Sequence, residues 1–292
     1  MTDLINPSIL ITGATGSVGL ELAKQLPAKE IPFSALVRSL DKAEALKHLK
    51  GVKLIVGDFN DQQSILNALK GIENVFLLSN SSDEAEHLQC NFVDAAVKSG
   101  VKHIVKLSQF AADLNSPVRF LRYHAVVEEK IKRTGLQYSF LRPNLFMQGL
   151  LGFADAIKYQ QQFFATAGDA KISLVDVRDI AAIAVERLIT RNKDSEIFNI
   201  TGPEAISHNK IAEVLSKVLQ KEIKYVNVAD QEMLSALLHF GFPEWQAEGL
   251  IEDYAHYARG EAAIVTDTVK DITGKLPRKF SEFVEDYKSY FE

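Results

Sequence analysis

The stretch Gly13-Ala14-Thr15-Gly16-Ser17-Val18-Gly19 constrains this chain more than any other. It lies between a short apolar run, Ile9-Leu10-Ile11-Thr12, and an amphipathic run at 20–26. That order reads strand, glycine turn, helix. Glycine reaches φ > 0 and lets another group approach the backbone with no Cβ in the way. The start of the helix presents unpaired N–H groups and the positive end of its dipole, which suits a pyrophosphate. Gly13, Ala14, Thr15, Gly16, Ser17, Val18 and Gly19 are therefore expected to bind a dinucleotide. A glycine-rich turn with no ligand is the competing reading, and the strand before and helix after weigh against it.

Further along, apolar runs at 33–37, 52–56, 74–78, 103–107 and 138–141 add five strands to the first. Helical patterns at 41–50, 61–70, 84–99 and 117–134 separate them, with Asp61 and Ser116-Pro117 as starts and Gly71, Gly100 and Gly135 as stops. Six strands alternating with helices predict an α/β fold, a doubly wound parallel sheet covered on both faces. After residue 143 the pattern changes. Residues 144–161 read as helical, 172–175 as a strand, 177–188 as a helix, 196–200 as a strand, 207–220 as a helix and 223–228 as a strand. Further helices are expected at 230–241, 244–259 and 280–291. The expected organisation is a Rossmann-type domain, 1–143 plus about 171–202, and a smaller substrate-binding lobe, about 144–170 and 203–292.

Composition narrows the function classes. Thirty-three Lys and Arg stand against 38 Asp and Glu, for a net charge of −5 with no basic block, so nucleic acid is not an expected ligand. No run of about 18 apolar residues exists to suggest a membrane span. The first residues lack the basic and apolar regions of a secretory signal. A cytoplasmic location is expected. The single cysteine, Cys90, reads as a small apolar side chain on a helix. The seven histidines show no His-x-x-x-His spacing, so no metal site is expected. The partner expected is a small-molecule substrate, and no motif speaks to the oligomeric state.

The end of the second strand bears on cofactor choice. An NAD site places an acid about 20 residues past the glycines, on the ribose 2′-OH. Here Arg38 and Ser39 stand there, and arginine offers a planar charged fork to a 2′-phosphate. NADP(H) is thus expected over NAD(H), a solvated surface arginine being the other reading of Arg38. Asp58 and Phe59 follow the third strand and read either as an adenine contact or as a helix cap and a core aromatic. Ser79 and Asn80 end the fourth strand and Ser108 the fifth, where an open parallel sheet places its ligands. These three are expected beside the nicotinamide half, with loop polarity as the alternative.

Thr12-Gly-Ala-Thr-Gly-x-x-Gly19 resembles the short-chain dehydrogenase/reductase superfamily, and the resemblance raises the cofactor reading of Asp58 and Phe59. That superfamily carries a catalytic Tyr-x-x-x-Lys on the helix before the sixth strand. The matching register places Phe120 at the tyrosine and His124 at the lysine, with Glu128 four residues on. Phenylalanine cannot donate a proton. The departure, with Arg142-Pro143-Asn144, the run 175–181 and the run 198–203, is similar to the NmrA-like atypical branch, which includes quinone and triphenylmethane dye reductases. The resemblance implies an NADPH-dependent oxidoreductase passing a hydride to a conjugated, quinone- or dye-like acceptor. The alternative is a non-catalytic NADP-binding redox sensor, and a sugar epimerase is weakened by the missing tyrosine. His124 is the catalytic and cofactor-binding candidate, as a ribose-holding group or a proton relay, against a plain buried histidine. Phe110, Asn144, Phe146 and Met147 are the expected substrate pocket.

Overall fold

A computed structural model describes residues 8–190 and 194–292. In chain order the strands are β1 (Ile9–Ile11), β2 (Phe33–Val37), β3 (Val52–Val56), β4 (Asn74–Leu77), β5 (His103–Leu107) and β6 (Gln137–Pro143), then β7 (Gln162–Ala165), β8 (Lys171–Ile172), β9 (Glu196–Ile200), β10 (Ile206–Ser207) and β11 (Lys224–Asn227). The α-helices are α1 (Ser17–Gln25), α2 (Glu44–Lys47), α3 (Gln62–Ala68), α4 (Ala85–Lys98), α5 (Arg119–Thr134) and α6 (Val177–Ile189). They continue as α7 (His208–Leu219), α8 (Asp230–His239), α9 (Glu244–Ala258), α10 (Thr268–Thr273), α11 (Phe280–Asp286) and α12 (Lys288–Phe291).

The main sheet has seven strands in the order β3-β2-β1-β4-β5-β6-β9, and the pairs from β3 to β6 are parallel. Strand order reverses at β1 and β4, the switch point at which doubly wound sheets bind ligands. β1, β2 and β5 are buried throughout, as a sheet covered on both faces requires. The chain divides into two compact units. The first is the chain up to Ser108, with Tyr123–Arg142 and Ile180–Phe198; the second is Gln109–Arg122, Pro143–Asp179 and Asn199–Glu292. In the first, Leu10, Val75 and Ile104 from the sheet pack with Ile65, Phe92, Val93 and Val127 from the helices. In the second, Phe163, Leu174, Ile211, Leu215, Phe280 and Phe283 form a separate core.

Local chemistry explains the boundaries. Asp61 caps α3 by accepting from the Gln63 and Ser64 amides, and Gly71 and Gly100 take φ of 76° and 79° after α3 and α4. Other expectations are corrected. α5 begins at Arg119, because the Ser116 hydroxyl accepts from Val118 N at 3.1 Å and holds a non-helical turn ahead of it. The stretch 144–161 is not one helix: Met147–Phe153 is 3-10 and Ala156–Gln160 a π turn, ended by Gln161 at φ 57°. β7 then pairs in parallel with β11, and the strand expected at 172–175 reduces to β8 plus a bridge between Phe146 and Val175. The last helix is split into α11 and α12 at Tyr287. Among the described residues, no helix is long and apolar enough to cross a membrane.

Candidate functional site

The three glycines of the turn answer three separate demands. Gly13 has φ 62°, and a Cβ there would lie 2.7 Å from Leu78 Cγ. At Gly19 a Cβ would fall 2.1 Å from Gly13 O, so only glycine lets α1 close against the turn. At Gly16 a Cβ would meet nothing nearer than Gly13 O at 3.4 Å. The space there is open, and α1 has neither a side-chain cap nor an acid in its first turn. The Thr12 hydroxyl bonds Leu78 N and O, each at 2.8 Å, tying the turn to the end of β4. Ala14 and Val18 are buried beneath the turn, while Thr15, Gly16 and Ser17 are exposed. The result is a rigid loop with unpaired donors and an open face, a ready cradle for an anion.

At the end of β2, Arg38 is exposed and makes no hydrogen bond among the described residues. Its charge and, more strongly, the backbone N–H of Asn60 hold the Asp58 carboxyl below the usual range. Asp58 Oδ1 accepts from Asn60 N and Nδ2, both at 2.9 Å, so it closes a turn; the cap of α3 is Asp61 instead. Phe59 is half-buried and stacks on Phe92 at 5.0 Å. The Ser79 hydroxyl accepts from buried Gln89 at 2.8 Å, and Asn80 is exposed.

Beneath the ends of β5 and β6 lies a buried polar cluster. Glu128 on α5 is almost fully buried and takes two bonds from Arg142, at 2.9 Å and 2.5 Å, and one of 2.5 Å from the Ser108 hydroxyl. Ser108, expected beside a ligand, is thus committed to a buried carboxylate, because a buried charge needs its lone pairs satisfied. His124, one turn earlier on α5, meets Lys106 of β5: Lys106 Nζ lies 2.7 Å from His124 Nδ1 and 3.0 Å from Leu107 O. Lys106 is fully buried; desolvation pulls its ammonium down to about 7 against the attraction of Glu128. Burial, then the charges of Lys106 and Arg142, hold His124 well below its ordinary value. At neutral pH the ring is therefore uncharged. Tyr123 packs on that ring at 4.1 Å and bonds Ser81 at 3.0 Å.

Sequence reasoning did not single out Lys106. Its one signal is a lysine among the apolar residues Ile104, Val105 and Leu107, at a position alternating with the last two.

In the second unit, Phe120 is held by packing. Phe120 meets Trp245 at 5.3 Å, and a Cβ on Gly249 of α9 would lie 2.4 Å from its ring. Arg119 anchors the same helix pair through Glu252 and Glu248. Two of the four expected pocket residues are engaged as scaffold. Asn144 donates to Ser173 Oγ and Ala262 O, each at 2.8 Å, and accepts from Leu145 N, which commits both amide hydrogens and the oxygen to scaffold. Met147 lies inside the core. Phe110 is buried with its N–H on Pro143 O at 2.9 Å, and Phe146 is half-buried. A second buried carboxylate, Asp253, accepts from both Gln109 and Tyr257, and burial raises it to about 6.

Comparison with known proteins identifies relatives over nearly the whole chain. The model of the NmrA-like family matches residues 6–287. An NAD(P)H azoreductase from Xenophilus azovorans is 32% identical over 97% of this chain and 99% of its own length. Among solved structures, an NADPH-dependent quinone oxidoreductase from Escherichia coli, complexed with NADPH, superposes with a TM-score of 0.86 at 27% identity, covering 96% of this chain and 99% of that one. The Citrobacter sp. triphenylmethane reductase complexed with NADP(H) gives a TM-score of 0.84 at 27% identity, over 96% and 99% of the two chains.

Proposed function

This chain belongs to the NmrA-like family, and from that premise we propose that it is an NADPH-dependent reductase passing a hydride to a small conjugated acceptor of the quinone or dye type. The observation that carries the reading is the cradle at Gly16, open where a Cβ would stand and backed by the uncapped start of α1. Residues Gly13 to Gly19 would hold the pyrophosphate, and the exposed fork of Arg38 would take the 2′-phosphate. Asp58, Phe59, Ser79 and Asn80 stand at the ends of β3 and β4, where this sheet type places the rest of a dinucleotide. When bound, NADPH supplies the hydride, and the protein supplies position.

The acceptor class follows from what the chain offers as acid. Phe120 has no proton to give, and His124 is neutral. An acceptor that spreads incoming charge over oxygens or rings needs little help from a protein acid, and a cationic dye needs no proton at all. The named activities of the azoreductase, quinone oxidoreductase and triphenylmethane reductase relatives support that class. We assign substrate recognition to about 144–170 and 203–292, with Phe110 and Phe146 as contact candidates. The regulatory alternative rests on Phe120 alone. The test is loss of NADPH absorbance against a panel of quinones, azo dyes and triphenylmethane dyes. Turnover of at least one sustains the reading; tight NADPH binding with no acceptor reduced would favour the regulator.

A further inference from the structure

Among the buried polar groups described in the first unit, Lys106 is one that the proposed chemistry leaves unexplained. Its chain is sealed from solvent, yet its ammonium is not paired directly with a carboxylate: Glu128 is taken by Arg142 and Ser108, while Lys106 bonds a backbone carbonyl and a histidine. While Lys106 keeps its proton, below about pH 7, it has donors only, so a nitrogen 2.7 Å from it must accept. His124 Nδ1 is therefore bare. A neutral ring with a bare Nδ1 carries its proton on Nε2. That Nε2 makes no hydrogen bond among the described residues, and His124 keeps 8% of its surface exposed.

We propose that Lys106 is a positioning residue that locks His124 as the Nε2–H tautomer, so that the site offers an oxygen of the cofactor ribose a fixed donor and no base. The inference deepens the reductase reading and rests on it for the identity of the ligand. The charged and titratable groups facing the pair are Glu128 from α5, Arg142 from β6 and Cys90 from α4, with Tyr123 tilted against the ring. None of them presents an acceptor that would draw the proton to Nδ1. An unbuttressed neutral histidine exchanges between two tautomers and can accept as well as donate; one held by Lys106 cannot.

The test is nitrogen NMR of the full chain labelled with ¹⁵N-histidine, without cofactor, with His124→Gln to assign the signals. At about pH 6, where Lys106 is still an ammonium and an ordinary histidine would be largely charged, His124 should show one bare nitrogen at Nδ1 and one N–H at Nε2. In Lys106→Met both nitrogens should move toward an averaged position, and the midpoint of protonation should rise. A wild-type ring that is averaged, Nδ1-protonated or charged at about pH 6 overturns the proposal, and this result needs no variant to fold. Unmoved signals in a folded Lys106→Met overturn it too. Adding NADP⁺ should then shift Nε2 and leave Nδ1 in place, and Lys106→Met should weaken NADPH by about 2- to 12-fold, the worth of one ordinary hydrogen bond. Failure of the wild-type chain to bind NADPH would end the functional reading and leave the Lys106–His124 result standing.

Discussion

Replacing Lys106 by methionine should stabilise this protein at mildly acid pH, and the gain should fade as the pH rises. A lysine has a reference value of 10.5, and burial lowers Lys106 to about 7. Between those values the unfolded chain holds a proton that the folded chain has released, so folding stability rises with pH across that window and the penalty is complete below about 7. At about 1.4 kcal/mol for each pH unit, the full penalty is about 5 kcal/mol. Methionine fills similar space without charge but leaves His124 Nδ1 without its donor, a loss of about 1–3 kcal/mol. The variant should therefore be about 2–4 kcal/mol more stable at about pH 6. Its advantage should shrink by about 2–3 kcal/mol between about pH 7 and about pH 9. Urea unfolding of both chains at each pH gives the difference directly, and the subtraction removes titrations the two share. A difference that stays constant from about pH 7 to about pH 9 would show that Lys106 keeps an ordinary pKa and that the burial argument is wrong.

Three further outcomes follow from the same geometry. Arg38→Ala should weaken NADPH binding by about 10- to 150-fold, the range of a charge-assisted hydrogen bond, and barely change NADH; calorimetry showing equal losses would make Arg38 structural. Gly16→Val should abolish binding of either cofactor while leaving the thermal transition in place, since only Gly13 O stands near the new side chain; retained affinity would remove the turn from the site. Glu128→Gln should cost about 3–5 kcal/mol in urea unfolding, because Arg142 would lose its buried counter-charge. A loss below about 1 kcal/mol would place that pair among weak surface bridges.

Much of the first unit was legible because its signals are local. The bounds of β2, β3 and β5 coincide with apolar runs, and Asp61 and Gly71 act within a few residues of the helix ends they set. What escaped the sequence depends on partners far along the chain. Lys106 gains its meaning from His124, 18 residues away on another element, and nothing periodic announces that meeting. Ser108 looked like a ligand contact because it ends a strand, but its carboxylate partner is 20 residues on. Asn144 reads as a pocket residue at the head of an apolar run, but Ala262, 118 residues later, takes its amide. The apolar run after 143 lacked the turn chemistry to reveal two short irregular helices, since π and 3-10 turns share the composition of α-helix. The packing of Phe120 against Trp245 and Gly249 likewise required the fold.

The central claim is hydride transfer on this chain, and a cationic triphenylmethane dye tests it most directly, because the hydride lands on carbon and cannot exchange with water. The reaction is run with NADPH deuterated on one face of the transferring carbon of the nicotinamide, and the colourless product is analysed by mass and NMR. The account predicts one deuterium at the central carbon from one labelled face and none from the other, with decolourisation lost in Gly16→Val. Decolourised product without deuterium from either face, or NADPH that binds and is never consumed by any acceptor, would contradict it.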